Sequence, residues 1–244
     1  MLNFNIKYLQ ETDSTNDYLK KLINESEPKE GTVILAEFQS SGRGRGQNHW
    51  HSGEGQNLIL SILLHPGIFA DKFFYLTELI SLSLIDFLSY YNIKAAIKWP
   101  NDIYVGDNKI AGILIENSII GDEIIYCIAG IGINVNEMDF PPDLLNPTSM
   151  RLEKLESYDK NAILDVLLNK IRLRYKQSIP GAFDLLHKEY NMELYKKGIV
   201  TRYKDKKGLL KACIKEIKPS GEMVLQLGNG IEKGYLFNEI KMVI

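Results

Sequence analysis

Four apolar runs follow one another closely between Ala95 and Val135: Ala95 to Trp99, Ile103 to Val105, Ile110 to Glu116 and Ile124 to Val135. Pro100 closes the first, and Gly106-Asp107-Asn108 closes the second and turns the chain into the third. Turn residues at that spacing make hairpins, so this block commits the chain to a sheet. Gly130 and Gly132 lie inside the last run. Glycines within a strand mark close approach by another backbone or by a ligand.

Upstream, Asp13 and Ser14 are both able to cap a helix over Thr15 to Asn24, where Tyr18, Leu19, Leu22 and Ile23 recur at helical spacing. Val33 to Ala36 and Leu58 to Leu64 read as strands flanking a polar, Gly-rich loop from Gln39 to Gln56. Phe73 to Tyr91 reads as a long helix, interrupted by too many polar residues for a membrane span. A loop is expected over Pro141 to Pro147, then helices over Asp159 to Gln177 and about Gly181 to Tyr195, split by Pro180.

The tail changes character. Gly208 to Ile217, Glu222 to Leu227 and Ile231 to Phe237 are β-type runs separated by Pro219-Ser220-Gly221 and Gly228-Asn229-Gly230. The expected organisation is therefore α+β: a mixed sheet flanked by helices over 1–196, and a small C-terminal β-barrel over 197–244.

Composition excludes more than it identifies. In 244 residues, Lys+Arg 29 against Asp+Glu 31 leave a net charge of −2, which argues against a whole-chain polybasic nucleic-acid binder. Cys127 and Cys213 form no C-x-x-C pair and sit in apolar surroundings, so two buried thiols in a reducing cytoplasm are expected, with no metal site. The first ten residues lack the layout of a signal peptide.

Two segments carry chemistry. Gln39 to Trp50 alternates Gly42, Arg43, Gly44, Arg45 and Gly46, a mobile backbone bearing guanidinium groups that bind phosphate or carboxylate bidentately. Trp50 offers a face on which a purine can stack, an interaction worth about 1–3 kcal/mol. The bland alternative is a disordered loop with solvated arginines. In Lys98-Trp99-Pro100-Asn101-Asp102 a lysine ends a strand and points into whatever sits at the sheet edge. An ordinary edge lysine with Asp102 as a turn residue is the alternative there. Gly130-Ile131-Gly132-Ile133-Asn134 lacks the third glycine and the helix of a dinucleotide fingerprint.

Taken in order, Asp13-Ser14-Thr15-Asn16, Gln39-x-x-Gly42-Arg43-Gly44-Arg45 with Trp50, Lys98 to Asp102, Ala111 to Glu116, Gly130 to Asn134 and Thr148-Ser149-Met150 resemble the biotin–protein ligases, also called biotin–[acetyl-CoA-carboxylase] ligases. The resemblance is strong over residues 4 to 150 and weak beyond. It departs in the loop, where Gly46 comes one place early and Gln47-Asn48-His49 follow. It implies a catalytic sheet domain with an SH3-like barrel, in the short monofunctional form without a DNA-binding domain.

The resemblance also implies an activity. MgATP and biotin would give biotinyl-5′-AMP, and the biotinyl group would pass to a lysine of a biotin carboxyl carrier protein. Lys98, Arg43 and Arg45 would be catalytic. Biotin would be held by Ser14, Thr15, Asn16, Gln39, Gly42, Arg43, Gly44, Lys98, Gly112, Gly130 and Gly132, with Asn16 equally readable as a cap. ATP would meet Arg43, Arg45, Trp50, Lys98, Asn101 and Asn134. Neither DNA nor membrane is expected as a partner, the lone histidines read as structural, and monomer and homodimer both stay open. A lipoate–protein ligase and a non-catalytic biotin-sensing protein are the competing readings.

Overall fold

The structure is a computed structural model and describes residues 2–46, 48–177 and 182–243. The chain begins with β1 (Asn5–Thr12), α1 (Thr15–Ser26), β2 (Thr32–Gln39), β3 (Leu58–Leu64) and β4 (Ile68–Phe69), followed by the long α2 (Phe73–Tyr90). The strand-rich block becomes β5 (Ala96–Lys98), β6 (Asp102–Val105), β7 (Asn108–Ile120) and β8 (Glu123–Ile133). Three helices follow: α3 (Met150–Lys154), α4 (Lys160–Gln177) and α5 (Phe183–Met192). The tail is β9 (Thr201–Asp205), β10 (Gly208–Ile217), β11 (Met223–Leu227), β12 (Glu232–Tyr235) and β13 (Ile240–Val243).

The first sheet runs β1-β2-β3-β8-β7-β6-β5, with β4 pairing β8. Only β1 and β2 run parallel; the other pairs are antiparallel, so the sheet is mixed. Every residue of β3 is buried because both sheet faces are covered. On one face Leu19 of α1 packs with Ile34, Leu63 and Ile128. On the other, Leu60, Ile62 and Ile131 share a core with Leu76 and Ile80 of α2 and Leu167 and Ile171 of α4. The segment Ala70–Tyr90 is long and apolar enough to cross a membrane, but most of it is buried in this core.

The second sheet, β12-β11-β10-β9-β13, is antiparallel throughout and forms a small SH3-like unit. It docks through a few specific contacts. Trp99 stacks on Phe237 at 5.4 Å and donates Nε1–H to Gly221 O at 3.0 Å. The Asn191 side chain caps β10, donating to Ile217 O at 3.0 Å and accepting from Ile217 N at 2.8 Å. An isolated bridge from Leu194 to Ile97 reaches the first sheet, and one from Lys197 to Ile214 reaches the second.

One strand carries no signal in the sequence, and one reading needs correcting. The stretch before residue 13 forms β1, a mostly exposed edge strand whose polar sequence carries little apolar signal. Cys127 is buried, with its thiol pushed up by burial, but Cys213 is half-buried on β10. The expected break at Pro180 and helix start at Gly181 lie outside the described residues, as does Gln47.

Candidate active site

The Gly-Arg segment is folded. Gly44 N donates to Asn48 O at 2.8 Å, Trp50 N donates to Gly42 O at 2.9 Å, and Arg43 bridges His49, which makes 42–46 and 48–50 the paired arms of a tight hairpin. Gly46 sits at its tip with φ +67, the left-handed region that glycine enters without strain. Gly42 allows the two arms to meet: a Cβ there would lie 2.5 Å from Trp50 O. The base of the hairpin is anchored by Glu137, a buried carboxylate that accepts from Gly53 N at 3.2 Å, from Asn57 Nδ2, and contacts His51 Nε2 at 2.9 Å.

The hairpin lays Trp50 across the sheet. A methyl group built on Gly132 would run into its indole ring, one on Gly112 would press against the ring at 3.0 Å, and one on Gly130 would overlap the Asn16 side-chain amide. The embedded glycines therefore do permit close approach, and what approaches is two side chains of the protein itself. Trp50 Nε1–H is buried with no acceptor among the described residues. Around this floor lies a cavity of about 100 Å³ whose lining includes Thr15, Gln39, Arg43, Trp50, Lys109 and Gly132.

A continuous hydrogen-bonded relay forms one wall. Ser14 caps α1, accepting from Asp17 N, so Asn16 is free of capping and turns inward. Thr15 donates its backbone N–H (2.7 Å) and Oγ1–H (3.0 Å) to Gln39 Oε1. Ser61 Oγ, fully buried in β3, lies 2.7 Å from Thr15 Oγ1 and 2.6 Å from Asn16 Oδ1. Asn16 Nδ2 donates to Glu116 Oε2 at 2.6 Å, and the same oxygen pairs with Arg43 Nη2 at 2.9 Å. Arg43 also reaches Asp17 at 2.7 Å. Each buried polar side chain in the wall thus has a partner, as burial away from water requires.

The other cations are held differently. Arg45 stacks its guanidinium on Phe237 at 3.7 Å, and burial lowers its pKa. Lys109 pairs with Asp102 at 2.6 Å beside the Trp50 ring. Lys98 lies over the Tyr104 ring at 4.7 Å. Its pKa is lowered chiefly by burial, with Asp102 opposing and Lys109 and Lys241 adding repulsion.

Residues 8–134 match the model of the biotin/lipoate A/B protein ligase family. The chain belongs to this family. Over 234 residues it is 32% identical to the bifunctional ligase/repressor BirA of Bacillus spizizenii, covering 93% of this chain and 71% of that protein. It is 32% identical to the biotin–[acetyl-CoA-carboxylase] ligase of Paracoccus denitrificans, covering 65% of this chain and 68% of that one. Among solved structures, the Aquifex aeolicus biotin protein ligase in complex with biotin and ATP superposes with TM-score 0.81 at 26% identity, covering 98% of both chains.

Within this family member, Ser14, Thr15, Asn16, Gln39, Arg43, Gly44, Arg45, Trp50, Asn101, Gly112, Gly130 and Gly132 all line the one cavity. Three of the expected residues stand elsewhere. Gly42 serves the hairpin base, Lys98 opens into a neighbouring cleft, and Asn134 is buried with its Nδ2 donating to Thr148 O at 2.9 Å. Three residues not singled out from the sequence prove central: Ser61, Glu116 and Lys109. Ser61 had a signal, as the one hydroxyl in the otherwise aliphatic run Leu58–Leu64. Lys109 sits at a turn, where a lysine is ordinarily solvated.

Proposed function

We propose that this chain is an ATP-dependent ligase that activates biotin as biotinyl-5′-AMP and transfers it to a lysine of a biotin-dependent carboxylase's carrier domain. The observation that carries this reading is the folded hairpin, which brings Arg43, Arg45 and Trp50 over the same cavity as Thr15, Gln39 and Lys109. The relatives named above as biotin ligases, one solved with biotin and ATP, support it.

In the first step a biotin carboxylate oxygen attacks the α-phosphorus of MgATP. The Pα–O–Pβ bond breaks and pyrophosphate leaves with its electron pair. Two anions must meet, so cations placed before the reaction lower the barrier without reorganising. Lys109 and Arg45 supply that field, and Arg43 does so when it exchanges Glu116 and Asp17 for a phosphate oxygen. Gln39 has its carbonyl oxygen engaged by Thr15, which leaves its Nε2–H donors for a ureido oxygen. Trp50 supplies an aromatic face for adenine. In the second step the carrier's lysine amine, having lost its proton, attacks the acyl carbon, and AMP departs. Mg²⁺ enters as part of the nucleotide substrate, and the free thiols agree with a cytoplasmic setting.

The test is biotin-dependent release of pyrophosphate from ATP. Release that requires biotin and is not supported by lipoate is expected; equal release with lipoate, or none with either, overturns the reading.

A further inference from the structure

The hairpin that carries Arg43, Arg45 and Trp50 has two roots, and they are held in different ways. The upstream root continues from β2. There Ser40 N donates to Thr12 O and Ser41 N to Asp13 O, both at 3.0 Å, which ties it to the chain leading into α1. The downstream root, residues 51–57, belongs to no strand or helix. Backbone bonds fix its far end, where Gly55 N donates to Glu37 O at 3.1 Å and Asn136 N donates to Gln56 O at 2.8 Å. The residues nearest Trp50 are held by side chains. Glu137 turns both oxygens to Gly53 N at 3.2 Å, accepts from Asn57 Nδ2, and meets His51 Nε2 at 2.9 Å. Asn57 in turn donates to Ser52 Oγ at 3.0 Å and accepts from Val135 N at 2.9 Å.

Donors from His51, Gly53 and Asn57 thus converge on one side chain. A carboxylate meets them because it accepts at both oxygens; an amide has one acceptor oxygen and would set its NH₂ group against another donor. Since both oxygens already take N–H donors, the His51 nitrogen facing them is the protonated one. Only 4% of Glu137 is exposed, and among the described residues its one ion-pair partner is His51, which is itself partly exposed. A buried carboxylate with so little cationic compensation is unfavourable to a fold. Its position gives the reason. Glu137 closely follows β8, and β8 carries Gly130 and Gly132, the floor against which Asn16 and Trp50 lie. The segment that supplies the floor of the cavity also supplies the post that holds the hairpin above it.

We propose that Glu137 is a positioning residue for the adenylation step: it clamps the downstream root of the hairpin and so holds Arg43, Arg45 and Trp50 over the floor. The proposal rests on the adenylation reading above. Glu137 lies outside the cavity lining and acts through its neighbours, through Gly53 and through His51, which adjoins Trp50. With the clamp released, the hairpin pivots on its upstream root alone. The arginines then spend less time where the biotin carboxylate and the α-phosphate meet. Such misplacement lowers the rate, and it spares the ureido ring's partners, which belong to the Thr15–Gln39 wall. The same release lets biotinyl-5′-AMP escape sooner.

The experiment uses the full chain, with Glu137→Ala and Glu137→Gln beside the parent. Brief trypsin treatment of the folded protein, with cuts mapped by mass, reads opening of the hairpin at Arg43 and Arg45 and needs no catalysis. Biotin-dependent pyrophosphate release then reads kcat and the KM for biotin. In Glu137→Ala the hairpin cuts should be about tenfold faster and kcat about tenfold lower, the factor set by losing one charge-assisted hydrogen bond. Cuts elsewhere should keep the parent's rate, and the KM for biotin should stay within about twofold because its wall is untouched. Glu137→Gln keeps an acceptor for Gly53 but cannot serve all three donors, so it should fall between parent and Glu137→Ala in both assays. If Glu137→Ala is cut throughout the chain, Glu137→Gln decides, by faster hairpin cuts and a lower kcat than the parent. Parent-like hairpin cutting in a folded variant, or faster cutting with an unchanged kcat, overturns the proposal. So does a loss confined to the KM for biotin, which would place Glu137 with the ureido wall. A parent that releases no pyrophosphate fails the adenylation reading instead, and the trypsin pattern still decides the clamp.

Discussion

The two halves of the site are built on opposite principles. Under Trp50, Thr15, Gln39, Ser61, Asn16, Glu116 and Arg43 form a relay in which each buried polar group is matched by another. In the adjoining cleft, Lys204 stands directly opposite Lys241, and the lining carboxylates Asp102, Asp205 and Glu239 are each engaged with other partners. The first arrangement is rigid before any ligand arrives, and suits a small neutral ring whose hydrogen bonds must be met in fixed directions. The second gathers like charges in an open cleft, an arrangement that costs a sheet stability. The contrast shows where stability has been retained and where it has been given up for electrostatics.

Lys109 is where that contrast can be broken most sharply. It belongs to the matched side through Asp102, yet lies in the cavity where charge develops. Lys109→Ala should lower adenylation by about a hundredfold or more, the usual effect of deleting one preorganised electrostatic group. Lys98→Ala should act mainly on KM for MgATP. Steady-state kinetics of the two variants separate them, and equal losses in kcat would erase the distinction.

Gly132→Ala comes next. Its methyl group must displace the Trp50 indole, shifting the hairpin that carries both arginines. A displacement of that kind costs up to about a hundredfold in rate. The measure is kcat/KM for adenylation, with circular dichroism confirming the fold; an unaffected rate would mean that Trp50 plays no part in aligning the reactants.

Ser61→Ala tests the relay alone. It removes the single hydroxyl that Thr15 Oγ1 and Asn16 Oδ1 both contact, which should raise the biotin Kd about fivefold and destabilise the fold by about 1–3 kcal/mol. Denaturant unfolding and biotin titration report the two effects. A pyrophosphate Kd that moved along with biotin's would show that the halves are not independent.

The smallest effect concerns α2 and α5, away from both halves. His187 Nδ1 lies 2.6 Å from the buried Glu78 carboxylate, and that hydrogen bond raises its pKa above the usual 6.5. A raised folded-state pKa means that the folded protein binds this proton more tightly than the unfolded chain. The stabilisation is therefore complete below pH 6.5 and lost as pH climbs through the raised value. Tm should fall over that window in the parent and fall less in His187→Gln. Parallel Tm–pH curves would show that the pair contributes nothing to stability.

What could be read along the chain follows from how local each signal is. Hairpin turns, the aliphatic β3 and the Gly-Arg alternation are local, and each matches a structural feature. The relay joins residues up to 100 positions apart, Asn16 to Glu116, and no periodicity encodes which polar partners meet. Strand β1 carries no clear signal because an edge strand needs few apolar residues. Lys109 escaped notice for a related reason: it stands at a strand end beside a turn, and only the register of β6 against β7 brings its ammonium to the cavity. The glycines inside β8 pointed to close approach, yet only the folded hairpin shows that Trp50 is what approaches Gly132.

The most direct measurement is the intact mass of a biotin carboxyl carrier domain after incubation with this protein, biotin and MgATP. The carrier should gain one biotinyl group, omission of either ATP or biotin should abolish the gain, and replacing the carrier's acceptor lysine should do the same. A carrier whose mass stays unchanged, while the protein binds biotin and remains folded, would contradict the assignment of this chain as a biotin-transferring ligase.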